Sequence, residues 1–410
     1  MSSPGTAAPR SAAPALPRLL VPGTASAPAR VTKFLVPDVI FGVGVLSQVG
    51  HAVKSQGGIR VFVVSDHGVA DAGWTSDVLG HLAAAGLSCE LWLGVTPNPK
   101  DTEVRAGGQA YLASHCDVLV AVGGGSCIDA AKAIALLSVH GGGITDYTGV
   151  GKVAGPLPPT VMVPTTGGSG SDVSQFCVVT DTRRKIKITI GARALVPDIS
   201  VTDPQTLTTV PPDITAYTAL DVLSHAIESY VSKAANFLSD VQALAAIRGV
   251  TEHLFPALDH PGDVQAREGL ARASLQAGLA FTNALLGATH GISHQIGGLT
   301  DLPHGLLNAI MLPHVMEFNA PVAAGRLVDV AAAMGTDTGL MNPYEAADAA
   351  TATVRALCGR AGLPTSLREI GVRLPQIDEI ARNALDDAYI VTNPRPVREE
   401  DARAICQAAW

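Results

Sequence analysis

Short apolar runs alternate with stretches of helical periodicity through the first half of the chain. Four runs are continuous and rich in β-branched residues, as expected for strands covered on both faces of a parallel sheet, and they span residues 61–65, 91–93, 118–122 and 160–163. Between them, apolar positions recur with helical spacing over residues 75–85, 101–114 and 128–137. This alternation is typical of βαβ units and predicts an α/β domain over residues 31–205.

The pattern changes after Asp203-Pro204, where strand-like runs nearly disappear and long Ala- and Leu-rich helical stretches follow. The first of these opens at Pro211-Pro212-Asp213, and we expect Asp213 to be its N-cap. We therefore predict a domain boundary near residues 203–210 and an all-helical second domain over residues 206–410. Residues 1–30 hold Ala, Pro, Ser, Gly and a few Arg but no acid, so we predict a disordered tail that cannot bury enough apolar surface to fold.

The composition of the 410 residues narrows the function. Hydrophobic residues make up 47% of the chain, which indicates a large buried interior, but no apolar run approaches the roughly 18 residues needed to span a bilayer. A net charge of −8 leaves no basic surface for nucleic acid. Six scattered cysteines without a CxxC pair fit a reducing compartment, and we expect the cytoplasm. The tail lacks the apolar core of a secretory signal, although an organellar transit peptide would share its composition.

Three histidines lie within fifteen positions of a region that is otherwise apolar and small. His290 and His294 are four residues apart and would share one face of a helix, while His304 follows a Gly-Gly-containing break that suits a loop or helix start folding back toward that face. Asp221 and His225 repeat the four-residue spacing upstream. One carboxylate and two or three imidazoles are enough to bind a divalent transition metal with one position left open. Spacing alone does not identify the ligating imidazoles, and hydrogen-bonded core histidines or a helix-surface Asp–His pair are the alternatives.

Two glycine-rich turns follow predicted strands, at Gly123-Gly-Gly-Ser126 and at Pro164-Thr-Thr-Gly-Gly-Ser-Gly-Ser-Asp172. Asp129 and Lys132 follow the first turn on a helical stretch, so bare backbone and the N–H groups of a helix start would face an anion there. Neither the GxGxxG nor the GxxxxGK[ST] fingerprint is present, and a tight structural turn is the alternative. Two such turns on one sheet favour a dinucleotide. Asp66, just after a strand, is placed to bind an adenosine ribose and to repel a 2′-phosphate, which favours NAD over NADP, unless it only caps the next helix.

With these residues assembled, the sequence resembles the iron-containing (group III) alcohol dehydrogenase family from about residue 31 to its end. The resemblance implies the fold of that family, also called dehydroquinate synthase-like, in which an α/β dinucleotide-binding domain, a parallel sheet flanked by helices, precedes an all-α domain and the site lies in the cleft between them. The matching motifs occur in family order: Gly123-Gly-Gly-Ser-x-x-Asp-x-x-Lys132, Pro164-Thr-Thr-x-Gly-Ser-Gly-Ser171, Asp221-x-x-x-His-Ala-x-Glu-x-Tyr230, His290-Gly-x-x-His294, Pro303-His-Gly-x-x-Asn-Ala309 and Asn393-Pro-Arg395.

The resemblance assigns roles to individual positions. It implies that Asp221, His225, His290 and His304 bind Fe²⁺ or, in some relatives, Zn²⁺, and that His294 faces the nicotinamide and relays protons. The residues that it implies for NAD binding are Asp66, Asn98, Gly124, Gly125, Ser126, Asp129, Thr165, Thr166, Val178 and Lys187. The substrate pocket that it implies is apolar or aromatic and consists of Phe176, Phe281, Leu286 and Tyr389.

The sequence differs from the common family pattern in one motif and keeps metal ligands that some family members lack. The common Gly-Thr-Gly-Ser-Glu is replaced by Gly168-Ser-Gly-Ser-Asp172, whose shorter acid would change the local hydrogen bonds. Maleylacetate reductases, which belong to the family, lack the metal ligands, whereas all four positions are filled here, so we expect metal dependence.

The implied activity is that of a metal-dependent, NAD(H)-using alcohol dehydrogenase or aldehyde reductase. Hydride would pass between an alkoxide held by the metal and the nicotinamide. We expect small neutral alcohols or diols as substrates, because the pocket residues include no cation for a carboxylate. The alternatives are a hydroxy-acid or maleylacetate-type reductase, a dehydroquinate synthase-like lyase, which would need several Lys or Arg around a phosphorylated sugar acid, and a non-enzymatic binding module. The resemblance also implies a homodimer or a higher homo-oligomer, and we expect neither nucleic-acid nor membrane partners.

Overall fold

The computed structural model describes Met1 and residues 33–410, so the tail predicted over residues 1–30 lies, apart from Met1, outside the described residues. The strands are β1 (Asp38–Phe41), β2 (Arg60–Val64), β3 (Ser88–Trp92), β4 (Val118–Gly123), β5 (Gly149–Val150), β6 (Thr160–Pro164), β7 (Phe176–Asp181), β8 (Ile186–Gly191) and β9 (Ile199–Thr202). The helices of the first half are α1 (Val49–Ser55), α2 (His67–Asp71), α3 (Trp74–Ala84), α4 (Asp101–Ser114) and α5 (Gly125–His140). Those of the second half are α6 (Pro212–Val231), α7 (Phe237–Asp259), α8 (Val264–Ala284), α9 (Ala288–Thr300), α10 (His304–Ala333), α11 (Pro343–Arg360), α12 (Ile377–Ala384) and α13 (Glu399–Ala408).

The main sheet is parallel throughout and has the strand order β1-β9-β6-β4-β2-β3. Successive side chains of β2 enter two different cores: Phe62 and Val64 pack with α4 and α5, whereas Val61 and Val63 pack with α1 and α3. This burial on both faces explains why the strands appear in the sequence as continuous apolar runs, and it confirms the predicted α/β part. Of the predicted run at residues 91–93, the first two residues belong to β3, which begins at Ser88, lies at the sheet edge and keeps several side chains exposed.

A second, three-stranded sheet with the order β5-β8-β7 was not predicted. Its strands β7 and β8 are antiparallel, with Phe176 opposite Gly191 and Thr180 opposite Lys187. Strands β1 and β9 were not predicted either. The hairpin matters for the site, because β7 and β8 carry Phe176 and Lys187 to the cavity described below.

Helices α6 to α13 fill the second half of the chain, as predicted, and Phe34–Trp410 form one compact unit. A boundary near residues 203–210 stays a prediction. The predicted N-cap of α6 was wrong: Pro211 is the N-cap, and Asp213 lies in the first turn, where its carboxylate faces the positive end of the helix dipole. No helix within residues 33–410 combines the length and the apolar character needed to cross a bilayer.

The chain break that we expected at Gly297-Gly298 lies further along the chain. Both glycines lie inside α9, and the chain turns at Asp301, whose φ of 54° ends the helix before α10 begins at His304. Gly298 is required for another reason: a Cβ there would lie 2.5 Å from the backbone of Ile186 in β8. The absence of a side chain at Gly298 therefore lets α9, which carries His290 and His294, approach the second sheet closely.

We predict that Gly298→Ala destabilises the protein by about 1–3 kcal/mol, as extra methyl groups in packed interiors usually do. The added Cβ meets β8 backbone, which cannot move aside as a flexible side chain could. Urea unfolding would measure the change. Gly325→Ala in α10 is the matched control, because its Cβ would meet no atom of the described residues within 4 Å, and the better helix propensity of alanine should stabilise it by up to about 1 kcal/mol. Equal effects of the two substitutions would contradict the packing argument.

Candidate metal and cofactor site

Four predicted metal ligands converge from three helices. Asp221 and His225 lie one turn apart on α6, His290 lies on α9, and His304 begins α10. The Asp221 Oδ1 atom is 4.0 Å from His225 Nε2, 3.8 Å from His290 Nε2 and 3.9 Å from His304 Nε2. Ligand atoms of Asp221, His290 and His304 all lie within 4.8 Å of one another, while His225 adds to this trio by stacking on His290 with ring centres 4.6 Å apart.

The chemistry of these four residues fits a divalent cation. Two ligands bonded at about 2.1 Å to a tetrahedral ion lie about 3.4 Å apart, so separations near 4 Å require only small side-chain adjustments. Burial lowers the pKa of His225 to about 4 and that of His304 well below its usual value. Both imidazoles are therefore neutral near pH 7, which is the state that binds metals.

A buried carboxylate orients His290. The Glu228 Oε2 atom is 2.6 Å from His290 Nδ1, and Glu228 Oε1 accepts from the Thr289 N–H at 2.6 Å. Burial alone would raise the pKa of Glu228, but the hydrogen bonds from His290 and Thr289 outweigh it and lower the pKa. An ionised Glu228 keeps the imidazole proton on Nδ1 and turns the Nε2 lone pair toward the other ligands. The family motif contains Glu228, but we had given it no role.

His294 has a carboxylate partner of its own. Its Nδ1 atom lies 2.8 Å from Asp387 Oδ2, and the other Asp387 oxygen accepts from the Tyr389 N–H at 3.0 Å. The His294 and Asp387 side chains are each only 2% exposed. The His294 ring stacks on His304 with centres 5.2 Å apart, so it borders the ligand cluster. Sequence analysis missed Asp387, because it lies 93 residues from His294 and no local spacing links them.

A cavity of about 920 Å³ joins the ligand cluster to the glycine turns. Every site residue predicted from the sequence contributes to its lining. The metal and proton-relay candidates are Asp221, His225, His290, His294 and His304, the cofactor candidates are Asp66, Asn98, Gly124, Gly125, Ser126, Asp129, Thr165, Thr166, Val178 and Lys187, and the pocket candidates are Phe176, Phe281, Leu286 and Tyr389. Their roles stay predictions, but the structure places all of them around one space. The lining also includes residues that we had not singled out, among them Ser174, Thr180 and Asp301.

The glycine turns present bare backbone to this cavity. Gly123 ends β4 with a φ of 155°, and α5 begins at Gly125 without any side-chain cap. A Cβ on Gly125 would lie 2.7 Å from Ser169 Cβ of the second turn, so the two turns pack directly together. An uncapped helix start beside hydroxyl-bearing residues such as Thr166 fits the pyrophosphate of a dinucleotide.

Asp66 caps a helix as well as lining the cavity. Its Oδ1 accepts from the Val69 N–H at 2.8 Å, at the start of α2, and its Oδ2 accepts from the Cys127 thiol at 3.1 Å. Asp66 thus caps the next helix, and its contact with a ribose stays a prediction. Burial, followed by the negative charge of Asp66, raises the pKa of Cys127 well above its usual value.

Asn98 and Lys187 link the two halves of the cavity wall. The Lys187 ammonium donates to Asn98 Oδ1 at 2.7 Å, and Asn98 Nδ2 donates to Asp301 Oδ1 at 2.8 Å. Asn98 has a φ of 55°, and its backbone N–H donates to Ser126 Oγ at 3.2 Å. Burial lowers the pKa of Lys187 to about 8, although Asp221 opposes the shift. This chain of contacts connects the first glycine turn with the loop between α9 and α10.

The glycine-rich motifs contain three charged residues, and each has different hydrogen-bond partners. Lys132 is structural, because its buried ammonium donates to the carbonyls of Ser174 at 2.7 Å and Phe176 at 2.9 Å. The shorter acid Asp172 accepts from Ser200 at 2.7 Å and is buried, which raises its pKa. Asp129 is only partly paired: its Oδ2 accepts from the Val178 N–H at 3.1 Å, but its buried Oδ1 has no hydrogen-bond partner among the described residues.

The predicted pocket residues form one apolar cluster beside the imidazoles. Phe176 packs against Tyr389 and Phe281 with ring centres 5.3 and 6.3 Å apart, and Leu286 completes the group. Phe281 also stacks on His225 with centres 4.6 Å apart. A carbon chain whose polar end reached the ligand cluster would therefore lie against hydrocarbon.

Most of this chain is similar to known proteins. The family model of iron-containing alcohol dehydrogenases matches residues 37–204, and the model of the C-terminal part of that family matches residues 215–410. A 1,3-propanediol dehydrogenase of Citrobacter freundii is 39% identical over 384 residues, which cover 93% of this chain and 99% of that protein. An NAD-dependent methanol dehydrogenase of Bacillus methanolicus is 35% identical over 380 residues, covering 92% and 100%. The crystal structure of a 1,3-propanediol oxidoreductase superposes with a TM-score of 0.90 at 38% identity, covering 93% and 100% of the two chains.

The unpaired oxygen of Asp129 leads to a stability prediction. Burial raises the pKa of Asp129 from 3.8 to about 6, so its ionised form is disfavoured in the folded protein. The stability that this group contributes is present below the unfolded-state pKa and is lost as the pH rises through the folded-state pKa. We expect Asp129→Asn to raise the free energy of unfolding by up to about 3 kcal/mol at pH 8, and by progressively less toward pH 4.

Urea unfolding of ligand-free protein at several pH values would measure this difference. Asp71→Asn is the matched control, because Asp71 is exposed on α2 and should show no such pH-dependent gain. A constant difference between Asp129→Asn and the unsubstituted protein from pH 4 to pH 8 would contradict the burial argument.

Proposed function

We propose, on the premise that this chain belongs to the iron-containing alcohol dehydrogenase family, that it interconverts small neutral alcohols or diols and their aldehydes at a cation held by Asp221, His225, His290 and His304. The chain is an NAD-dependent alcohol oxidoreductase that acts on small alcohols. The proposal also includes three finer points. The bound metal is iron rather than zinc, the cofactor is NAD rather than NADP, and individual residues have the roles described below. The observation that carries it is the single cavity shared by the ligand cluster and the glycine turns.

The proposed chemistry combines a cation site at one end of the cleft with a cofactor site at the other. A divalent cation at the four ligands supplies Lewis acidity, which favours loss of the hydroxyl proton of an alcohol or polarises an aldehyde carbonyl. The uncapped start of α5 binds the pyrophosphate, Asn98 lies near the cofactor, and Lys187 lies along it. Asp66 binds the adenosine ribose and repels a 2′-phosphate, which supports NAD over NADP. Burial of the cluster excludes water and keeps the reacting carbon and the cofactor in one geometry.

His294 is the proton carrier in this proposal. Its Nδ1 is occupied by Asp387, so Nε2 is the nitrogen left to exchange a proton with the substrate hydroxyl. The carboxylate fixes the ring orientation and stabilises the imidazolium that forms when Nε2 takes the proton. Asp387 acts through His294 and is a positioning residue.

Neutral substrates are supported by the charges around the cavity. Of the described residues that line it, Lys187 is the one lysine or arginine, and its ammonium already donates to Asn98. A hydroxy acid would leave its carboxylate without a partner among Phe176, Phe281, Leu286 and Tyr389. The same scarcity of cations argues against a lyase that binds a phosphorylated sugar acid.

The cellular setting and assembly belong to this proposal as well. All six cysteines are free, which supports a reducing compartment such as the cytoplasm. A homodimer or a higher homo-oligomer is proposed on the family resemblance.

We predict that the purified protein reduces NAD in the presence of butanol or 1,3-propanediol, and that chelation removes the activity. Without the cation, the hydroxyl keeps its ordinary pKa, and the rate should fall by about 100-fold or more. Anaerobic Fe²⁺, or else Zn²⁺, should restore it. NADH absorbance measures the rate, and NADH fluorescence in the chelated protein is the control, because cofactor binding should persist. Full turnover after complete chelation would overturn the metal role, and a higher kcat/KM for 4-hydroxybutyrate than for the diol would overturn the substrate class.

We predict that His294→Ala lowers kcat by about 10²–10⁴-fold, the usual contribution of general acid–base catalysis. Asp387→Asn should lower kcat less and should also change the pH profile, because the amide cannot stabilise the imidazolium. The dissociation constant of NADH should change little in either variant, since both side chains are proposed to act on the proton of the substrate and not to hold the cofactor in place. An unchanged pH–rate profile in His294→Ala would show that another group carries the proton.

A further inference from the structure

Asn308 sits at the centre of the ligand cluster. It follows His304 by one turn of α10 and is completely buried. Its Nδ2 atom is 2.7 Å from Asp221 Oδ1, 3.0 Å from His290 Nε2 and 3.1 Å from His304 Nε2. Its Oδ1 accepts a hydrogen bond from the Ser293 hydroxyl of α9. One side-chain amide therefore touches three of the four proposed metal ligands through the atoms that would bind the metal.

The chemistry of its neighbours fixes the orientation of this amide. A carboxylate oxygen such as Asp221 Oδ1 only accepts, so the amide group facing it must be the NH₂. The opposite orientation would set two oxygens against each other and would leave the Ser293 hydroxyl facing an NH₂ group. Asn308 is thus a donor toward the cluster and an acceptor away from it.

Asn308 also selects the imidazole tautomer. An NH₂ group only donates, so an Nε2–H beside it would set two donors against each other. His290 and His304, whose Nε2 atoms lie 3.0 and 3.1 Å from Asn308 Nδ2, therefore keep their protons on Nδ1 and leave Nε2 lone pairs facing the cluster. For His290 this agrees with Glu228, which lies 2.6 Å from Nδ1 and takes the proton there. For His304, Nδ1 has no hydrogen-bond partner within the part of the chain that the structure describes, so the contact that fixes its tautomer is the one with Asn308.

The Asn308 amide cannot donate a hydrogen bond to all three ligand atoms at once. An NH₂ group has two hydrogens, whereas three lone-pair atoms lie within 3.1 Å of Asn308 Nδ2. At least one acceptor is therefore always left over. Without any donor between them, a carboxylate and imidazole lone pairs would repel and their side chains would turn apart. Asn308 keeps them close together but leaves a deficit of positive charge that a cation fills.

We propose that Asn308 is a positioning residue that organises the cation site before the cation binds, by holding Asp221, His290 and His304 with their lone pairs facing one another. This inference rests on the proposed function, because it assumes that the four residues bind a metal. Asn308 arranges the ligand side chains when the protein folds. The binding of the cation then does not have to supply the free energy of that arrangement.

The test uses the metal-stripped full chain and Co²⁺ as the probe. Competition with a chelator gives the dissociation constant, and the visible d–d absorption reports the ligands around the ion. Asn308→Ala should weaken Co²⁺ binding by about 10–100-fold, the range found when groups that support metal ligands are removed. The d–d spectrum at saturation should be unchanged, since all four ligands remain. Asn308→Ser, whose short hydroxyl cannot reach all three atoms, should show a loss in the same direction and provides a second variant if the alanine variant does not fold.

Asn319→Ala is the matched control. Asn319 is also buried on α10, but it exchanges hydrogen bonds with Asn393 at 3.1 and 2.8 Å and touches none of the proposed ligands. Its removal should lower stability without changing the Co²⁺ dissociation constant. Wild-type affinity in the Asn308 variants, or the same loss in Asn319→Ala, would overturn the proposal.

Two further outcomes separate this inference from the proposed function. A changed d–d spectrum in the Asn308 variants would identify Asn308 as a ligand and would overturn its positioning role alone. Failure of the unsubstituted chain to bind Co²⁺ would overturn the cation site itself, and the role of Asn308 with it.

Discussion

The structure depends on the meeting of one carboxylate and three imidazoles in a buried space, where lone pairs face one another at separations near 4 Å. Such an arrangement is unfavourable by itself, so rigid elements must hold it. The helices α6, α9 and α10 do so by close packing. Gly305, next to His304, lies so close to the Tyr217 carbonyl of α6 that no side chain could fit there. Hydrophobic burial around these helices thus supplies the free energy that keeps the ligands together.

The main sheet contributes the second half of the site, because its strands all run in the same direction. Because β2, β4 and β6 are parallel, the segments that follow them reach the same edge of the sheet, and this edge carries Asp66 and both glycine turns. Hydride transfer requires that this edge and the imidazoles lie a fixed distance apart. The contact of Gly298 with β8 contributes to this placement, since it brings the histidine-bearing helix against the strand of the second sheet that carries Lys187. The catalytic proposal therefore rests on backbone packing as much as on the ligand residues.

The sequence predicted those features that depend on local periodicity. Strands buried on both faces appear as apolar runs, and α4 has the predicted bounds because polar residues alternate clearly with its buried positions. Strands β7 and β8 escaped notice because they belong to a short mixed sheet whose pattern is interrupted by the charged turn at Arg183 and Arg184. The double glycine at 297–298 was interpreted as a chain break, although its role is close approach to another element, which only tertiary structure reveals. Asp387 could not be found from spacing, because its partner is distant in the chain.

Hydrogen bonding distinguishes the residues that hold the site from those left open to bind. Both oxygens of Glu228 and of Asp387 have protein partners, so these carboxylates are already occupied and can only orient a neighbouring imidazole. Asp129 keeps one buried oxygen without a partner in residues 33–410, and the Asp221 cluster has more acceptors than the Asn308 amide has hydrogens. An unpaired buried polar atom costs about 1–3 kcal/mol in a folded protein. A fold that retains several such atoms along the wall of one cavity places them where a ligand supplies the missing partner, so the same deficit that costs stability gives the cleft affinity for what it binds.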